Sequence, residues 1–280
     1  MSPRFFWFLP TTGDSRSIVG GSHASSNRDI PNGYRPPSRR YLAEVARAAD
    51  RLGYEGVLTP TGTWCEDAWL TSAALLAETE KLKFLVAFRP GLIPPTLAAQ
   101  QTATLQRFSE GRVLLNVVSG SDDAEQRRFG DFLGHDERYA RTAEFLQIVT
   151  SVWTQDSVDF TGKYYTVADA RVSSPPDPLP EIYFGGSSAA ALPIAAEFAD
   201  VYLTWGEPPQ TAAAKITRCE SRLLLVAGQS GSASGYTPSA VTPQMRPGPS
   251  PTRCWPGSLT NRSPKPLRCT PSRNPRGNEG

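Results

Sequence analysis

The chain has 280 residues with 29 basic and 27 acidic side chains, a net charge of +2, so its overall charge singles out neither nucleic acid nor a membrane surface as a partner. Two histidines, His23 and His135, are too few for a metal cluster and do not assemble a Ser/His/Asp triad. The opening MSPRFFWFLP carries one Arg and a short apolar run, so it reads as neither a secretion signal nor a membrane span, and no later run approaches membrane length.

Phe5 to Pro10 has the composition of a strand and is followed by a polar loop, Thr11 to Pro37, rich in Gly, Ser and Asn. A helix is predicted from the cap Ser38 to Gly53, with Leu42, Val45, Ala46, Ala49 and Leu52 on one face. The strand–helix unit then recurs: Glu55–Thr59 with Asp67–Thr79, Leu82–Phe88 with Pro95–Phe108, and the strand opening at Arg112 with a helix from His135 to Trp153. Val158 to Val167 reads as a hairpin around Thr161 and Gly162. Ile182–Phe184 with a helix Ser187–Phe198, and Val201–Trp205 with a helix starting after Pro208, complete six units. Strict alternation implies parallel strands with helical crossovers. Pro10 to Ser15 lacks the G-x-G-x-x-G turn of a dinucleotide domain, so a TIM-type (β/α)8 barrel, incomplete at about six of eight strands, is the expected α/β fold.

In such a barrel the ligand groups lie at the carboxyl ends of the strands. RVLLNVVSGSD, residues 112 to 122, is a buried strand interrupted by Asn116, whose amide needs hydrogen-bond partners, and it ends in small polar residues that leave room for a ligand. Phe184-Gly185-Gly186-Ser187-Ser188 joins two glycines, which permit close backbone approach, to two serines at a predicted helix start, where unpaired N–H groups favour phosphate; a tight turn with an ordinary serine cap fits equally. Arg89 closes an apolar strand and offers a second phosphate or carboxylate contact, or is a surface Arg beside Pro90. Cys65 precedes a helix whose dipole would lower a thiol pKa, although an inert buried cysteine is the commoner outcome. Trp64, Trp69, Trp205 and Phe6 suit an apolar pocket or plain core, and His135 and Tyr139 fall one helical turn apart. A phosphate grip beside an aromatic pocket, without hydrolytic machinery, suits a cofactor that brings its own chemistry.

FWFLPTTGD, ADRLGYEGVLTPTGTWCEDAW, KLKFLVAFRPGLIPPTLAAQQTATLQRFSEGR, LLNVVSGSD, HDERYARTAEF, VDFTGKYY, IYFGGSS and DVYLTWGEPP, in that order from Phe5 to Lys215, closely resemble the bacterial alkanesulfonate monooxygenases of the luciferase-like flavin-dependent family. The single cysteine of the folded body, Cys65, makes a reducing cytoplasm the expected compartment, and the resemblance implies an enzyme, homo-oligomeric when full length, that takes reduced FMN from a separate NAD(P)H-dependent FMN reductase and uses dioxygen to cleave an organosulfonate to aldehyde and sulfite. It also implies that Ser187, Ser188, Gly186, Tyr139 and Arg89 hold the flavin phosphate side, that Asn116, Ala87 and Thr59 lie near the ring, and that Cys65 and Trp205 take active-site positions; it implies no metal. A deazaflavin (F420)-dependent oxidoreductase of the same superfamily is the alternative.

Residues 1–218 are the expected barrel portion, and 219–280 a Pro/Ser/Arg-rich tail expected to be disordered. The tail holds ten of the 26 prolines, three of the four cysteines and a charge balance of +6, against −4 for the preceding residues. With Cys65 the single cysteine before it, no disulfide framework is expected there. The resemblance stops near Arg218. Codons allowed for Ser230–Tyr236, slid by one nucleotide, can spell the family's next strand, RFGIRLH, and the same slide over Gln244–Ser250 and Thr252–Gly257 gives further helix-like strings. A reading-frame shift near Arg218 is therefore expected, leaving a chain with the enzyme's ancestry and without its activity. A third reading is a non-catalytic fragment whose basic tail, Arg246 to Arg276, adheres to acidic surfaces by charge alone.

Overall fold

The computed structural model describes residues 4–14, 34–120, 122–204, 208, 210–211 and 213–217. The expected tail 219–280 and the catalytic candidate Trp205 lie outside the described residues. Strands β1 (Phe6–Phe8), β2 (Gly56–Thr59), β3 (Lys83–Phe88), β4 (Val113–Val117), β7 (Ile182–Gly185) and β8 (Val201–Leu203) form one parallel sheet in that order. Helices α1 (Arg39–Arg51), α2 (Ala68–Leu76), α3 (Pro95–Phe108), α4 (Asp123–Arg128), α5 (His135–Thr154) and α6 (Ala191–Phe198) connect them, and β5 (Val158–Thr161) with β6 (Thr166–Ala170) forms a separate antiparallel hairpin. The sheet is curled, and the fold is the six-stranded incomplete TIM barrel expected from the alternation.

Local chemistry explains the boundaries. Ser38 accepts a hydrogen bond from the Tyr41 N–H at the start of α1, Asp67 accepts one from the Leu70 N–H at the start of α2, and Pro95 opens α3 where its missing N–H costs nothing. Asp122 caps α4, a helix the sequence periodicity did not indicate because it is six residues long. The helix after β7 begins at Ala191 rather than Ser187. Ser187 and Ser188 lie ahead of it in a turn, where the Ser188 hydroxyl accepts the Ala191 N–H at 3.1 Å.

Alternation along the strands sorts the side chains to two faces. Val57, Phe84, Val86, Phe88, Val113, Leu115, Val117, Ile182 and Phe184 pack against the helices as one core. Leu85, Leu114 and Tyr183 pack with Phe6, Leu58, Val201 and Leu203 on the inner face. The amino-terminal end is tied by charge: Lys83 pairs with Glu55 at 2.5 Å, and Glu181 takes both Arg4 at 2.8 Å and the Tyr183 hydroxyl at 3.0 Å.

Phe145 on α5 is fully buried and touches the rings of Phe88 and Tyr165. Phe145→Ala is expected to cost about 3–5 kcal/mol of stability, whereas Phe108→Ala, at a position 78% exposed, should cost about 0.5 kcal/mol or less. Urea unfolding of both variants checks the contrast.

Candidate functional site

Two groups of residues gather at the carboxyl ends of the strands, on either side of β4. The first forms around β7. Gly186 has φ +154°, and a Cβ there would stand 2.8 Å from the Tyr139 hydroxyl and 2.9 Å from the Ala191 Cβ. Only glycine fits, so the backbone comes close to the first turns of α5 and α6. The Tyr202 hydroxyl fixes this turn by donating to the Gly186 carbonyl at 2.7 Å. Tyr139 is buried against Phe184, and the His135 ring meets it edge-on at 4.9 Å, one helical turn away as the sequence spacing indicated. Burial pushes the Tyr139 phenol above its ordinary pKa, with a smaller opposing pull from the facing Ser188 side chain. Tyr139, Gly186 and Ser188 are thus brought together, with Ser187 beside them and exposed. The Ser187 and Ser188 hydroxyls and the backbone at Gly186 stand together at the end of β7, ahead of α6.

The second group forms around β2 and β3. Arg89 is buried, as is Glu125 of α4, and Arg89 Nη2 donates to Glu125 Oε2 at 2.6 Å. Glu125 Oε1 accepts the Thr63 N–H at 3.0 Å, and the Phe129 ring lies 5.5 Å from the guanidinium carbon. Arg89 therefore serves the β2–α2 and β4–α4 loops. It makes no bond to Ser187, Ser188 or Tyr139, in contrast to its expected place with them at the phosphate. Glu125 was not singled out in the sequence; the only signal was an Asp122 cap three residues before it, in a stretch too short to show a period.

Cys65 stands in this second group, but its thiol is not activated. The helix after it begins only at Ala68, and the sulfur faces the carbonyl oxygens of Gly62 at 3.5 Å and Pro60 at 3.6 Å. Burial pushes the thiol up to about 11, Thr11 and Arg89 pull it down, and Glu125 and Asp67 push it further up. The expected lowering by the helix dipole is reversed, because desolvation outweighs a dipole that starts beyond the cap residue.

Between the groups, Asn116 pairs in register with Ala87 on one side and Tyr183 on the other, and alternation puts all three on the inner face. No described residue hydrogen-bonds the Asn116 side-chain amide. Thr59 departs from the expectation. Its hydroxyl accepts from Ser72 Oγ of α2 at 3.2 Å, so the side chain is buried on the helix side of β2, away from that inner face.

Two arginines of α5, the buried Arg138 and the half-buried Arg141, hold these loops. Arg138 donates to the carbonyls of Leu133 and Gly120 and to Asp123, and Arg141 binds Asp131 and the Pro90 carbonyl. Asp123 is drawn below the ordinary carboxylate range by Arg138. Among the described residues no His/Cys/Asp/Glu group could hold a metal ion, and no helix is long and apolar enough to cross a membrane.

A family model described as luciferase-like monooxygenase matches residues 3–229. Among solved structures, the chain is similar to EDTA monooxygenase (EmoA) from Chelativorans sp. BNC1, with TM-score 0.65 and 18% identity over 80% of this chain and 59% of that one. It is also similar to riboflavin lyase (RcaE), with TM-score 0.69 and 19% identity over 81% and 60%, and to an F420-dependent secondary alcohol dehydrogenase, with TM-score 0.64 and 22% identity over 81% and 66%. At these identities the likeness is one of fold. The chain spans about three fifths of the length of EmoA and RcaE.

A thiol with a pKa of about 11 holds roughly a hundredfold less thiolate at neutral pH than an ordinary cysteine. Iodoacetamide should therefore label Cys65 at pH 7 roughly a hundredfold more slowly than a free cysteine peptide, with the rate climbing toward pH 11; peptide mapping by mass spectrometry gives both rates.

Proposed function

The chain belongs to the luciferase-like monooxygenase family, matched from residue 3 to residue 229, and from that premise we propose that it is a reduced-FMN-dependent monooxygenase acting on alkanesulfonates, releasing aldehyde and sulfite. The observation that supports it most is the cradle of Gly186, Ser188 and Tyr139, where a Cβ would fill the space the backbone leaves. FMN carries one phosphate on a flexible chain, and a turn of free N–H groups and hydroxyls is suited to that group. The inner-face amide of Asn116, beside Ala87, supports a planar ring lying across the strand ends, with an edge that can exchange hydrogen bonds.

In this reading the flavin, reduced by a separate NAD(P)H-dependent FMN reductase, supplies the oxygen chemistry when bound. The chain's own residues bind, orient and exclude water. Ser187 and Ser188 would hold the phosphate with the backbone at Gly186, and Tyr139 would close that side of the cradle. Cys65, a neutral thiol at pH 7, would act by contact rather than as a nucleophile.

FMN is expected to bind at least about tenfold more tightly than riboflavin, because the phosphate contributes charge-assisted bonds of about 1.5 kcal/mol or more. Gly186→Ala should remove most of that advantage, since the added methyl clashes with Tyr139. Flavin fluorescence titration measures both. Equal affinity for FMN and riboflavin rejects the phosphate cradle, and tighter binding of the deazaflavin F420 than of FMN favours the oxidoreductase alternative, the cofactor named for one structural neighbour. Supplied with a flavin reductase, NADPH, dioxygen and octanesulfonate, the protein should release sulfite in a thiol-reagent assay if the barrel portion carries the reaction by itself, and none if the frame shift expected near Arg218 has removed it. FMN binding without sulfite would retain the cradle and reject the sulfonate reaction for this chain.

A further inference from the structure

A cavity of about 430 Å³ opens between the β2–α2 loop and the end of β3, away from the phosphate cradle and on the other side of β4. Its walls are mostly apolar: Trp69, Phe88, Leu92, Ile93 and Phe129, with Ala87 at the inner-face end. The volume is that of a small-molecule site. Its polar groups decide what enters. Arg89 lines it but is neutralised by Glu125 at 2.6 Å, and two of its nitrogens, Nε and Nη1, are sealed from solvent. Glu66 and Asp67 line the cavity as well and are exposed. An anion would face these two carboxylates with no unneutralised cation to offset them, whereas a hydrocarbon chain would gain from every methylene it buries.

One carboxylate ties two of the cavity's walls together. Glu125 Oε1 takes the Thr63 N–H from the loop that carries Cys65, and Glu125 Oε2 takes Arg89 from the end of β3. Gly62 permits the approach, since a Cβ there would lie 2.7 Å from Glu125 Oε1. We propose that this cavity receives the hydrocarbon chain of the substrate and that Glu125 is the positioning residue that holds its two walls in register. The proposal rests on the monooxygenase reading for the identity of the headgroup, not for the chain. The headgroup lies beyond Ala87, away from Glu66 and Asp67; Ala87 is on both the cavity wall and the inner face and marks where the chain would pass toward the strand ends.

The test uses the whole 280-residue chain without flavin. A series of 1-alkanols and 1-alkanesulfonates from two to ten carbons is titrated calorimetrically, and affinity should rise roughly fourfold per methylene until the cavity is full. Because Cys65 lines the cavity, saturating 1-octanol should also slow its alkylation several-fold. Affinity independent of chain length, or alkylation indifferent to octanol, overturns the proposal. Alkanols that show the slope where alkanesulfonates do not bind would keep the cavity and reject the sulfonate reading. Ile93→Phe, at a partly buried loop position, should stop the rise at shorter chains; an unchanged profile would overturn the assignment of this wall. Glu125→Gln should flatten the slope and speed Cys65 alkylation at pH 8, since the carboxylate that joins the Thr63 N–H of the Cys65 loop to Arg89 is gone and the loop is freer to open. A variant with the wild-type slope and alkylation rate refutes the positioning role. The wild-type series decides the cavity assignment even if a variant fails to fold.

Discussion

The parallel pairing of β4, with β3 along one edge and β7 along the other, is the constraint on which the site depends. Parallel strands joined by helical crossovers all point the same way, so Asn116, Arg89 and Gly186 emerge at one rim although they are far apart in sequence. The register does the rest. It sets Asn116 beside Ala87 and Tyr183, and a slip of one residue would turn the amide into the helix-packed core.

Arginines that are buried or nearly so tie the rim together. Arg138 and Arg141 on α5 reach the carbonyls at Gly120 and Pro90, and Arg89 is fastened to Glu125. Each is a charge taken out of water, and such groups persist only where carbonyls and carboxylates meet their donors. The loops after β3 and β4 are consequently tied to the longest helix. A rim built in this way presents fixed dipoles to a ligand, the arrangement that a cofactor with its own reactivity requires of a protein.

The same rim is divided by β4 into two environments. On the β7 side a glycine turn stands beside the hydroxyls of Ser188, Tyr139 and Tyr202. On the β2–β3 side the walls are mostly aromatic and aliphatic, and Arg89 is paired with Glu125. In the proposed reading, the glycine–serine turn and the apolar cavity flanking one amide-bearing strand would take two different molecules, a phosphorylated cofactor and an organic substrate. Desolvation also explains why Cys65 belongs to the second environment as a neutral thiol.

Strand and helix alternation, the buried run through Val113–Val117 and the glycine–serine turn after Phe184 were legible in the sequence, because they follow from local periodicity and from the conformational freedom of glycine. The parallel barrel architecture followed from that alternation, and the His135–Tyr139 contact from helical spacing. Folding alone decided the partners. Arg89 joined Glu125 instead of the serines, Thr59 turned to Ser72, and α6 began three residues beyond Ser188. Those outcomes depend on which side of a strand a residue faces and on which distant carboxylate or hydroxyl arrives beside it. A linear pattern carries the first of these weakly at strand ends and the second not at all.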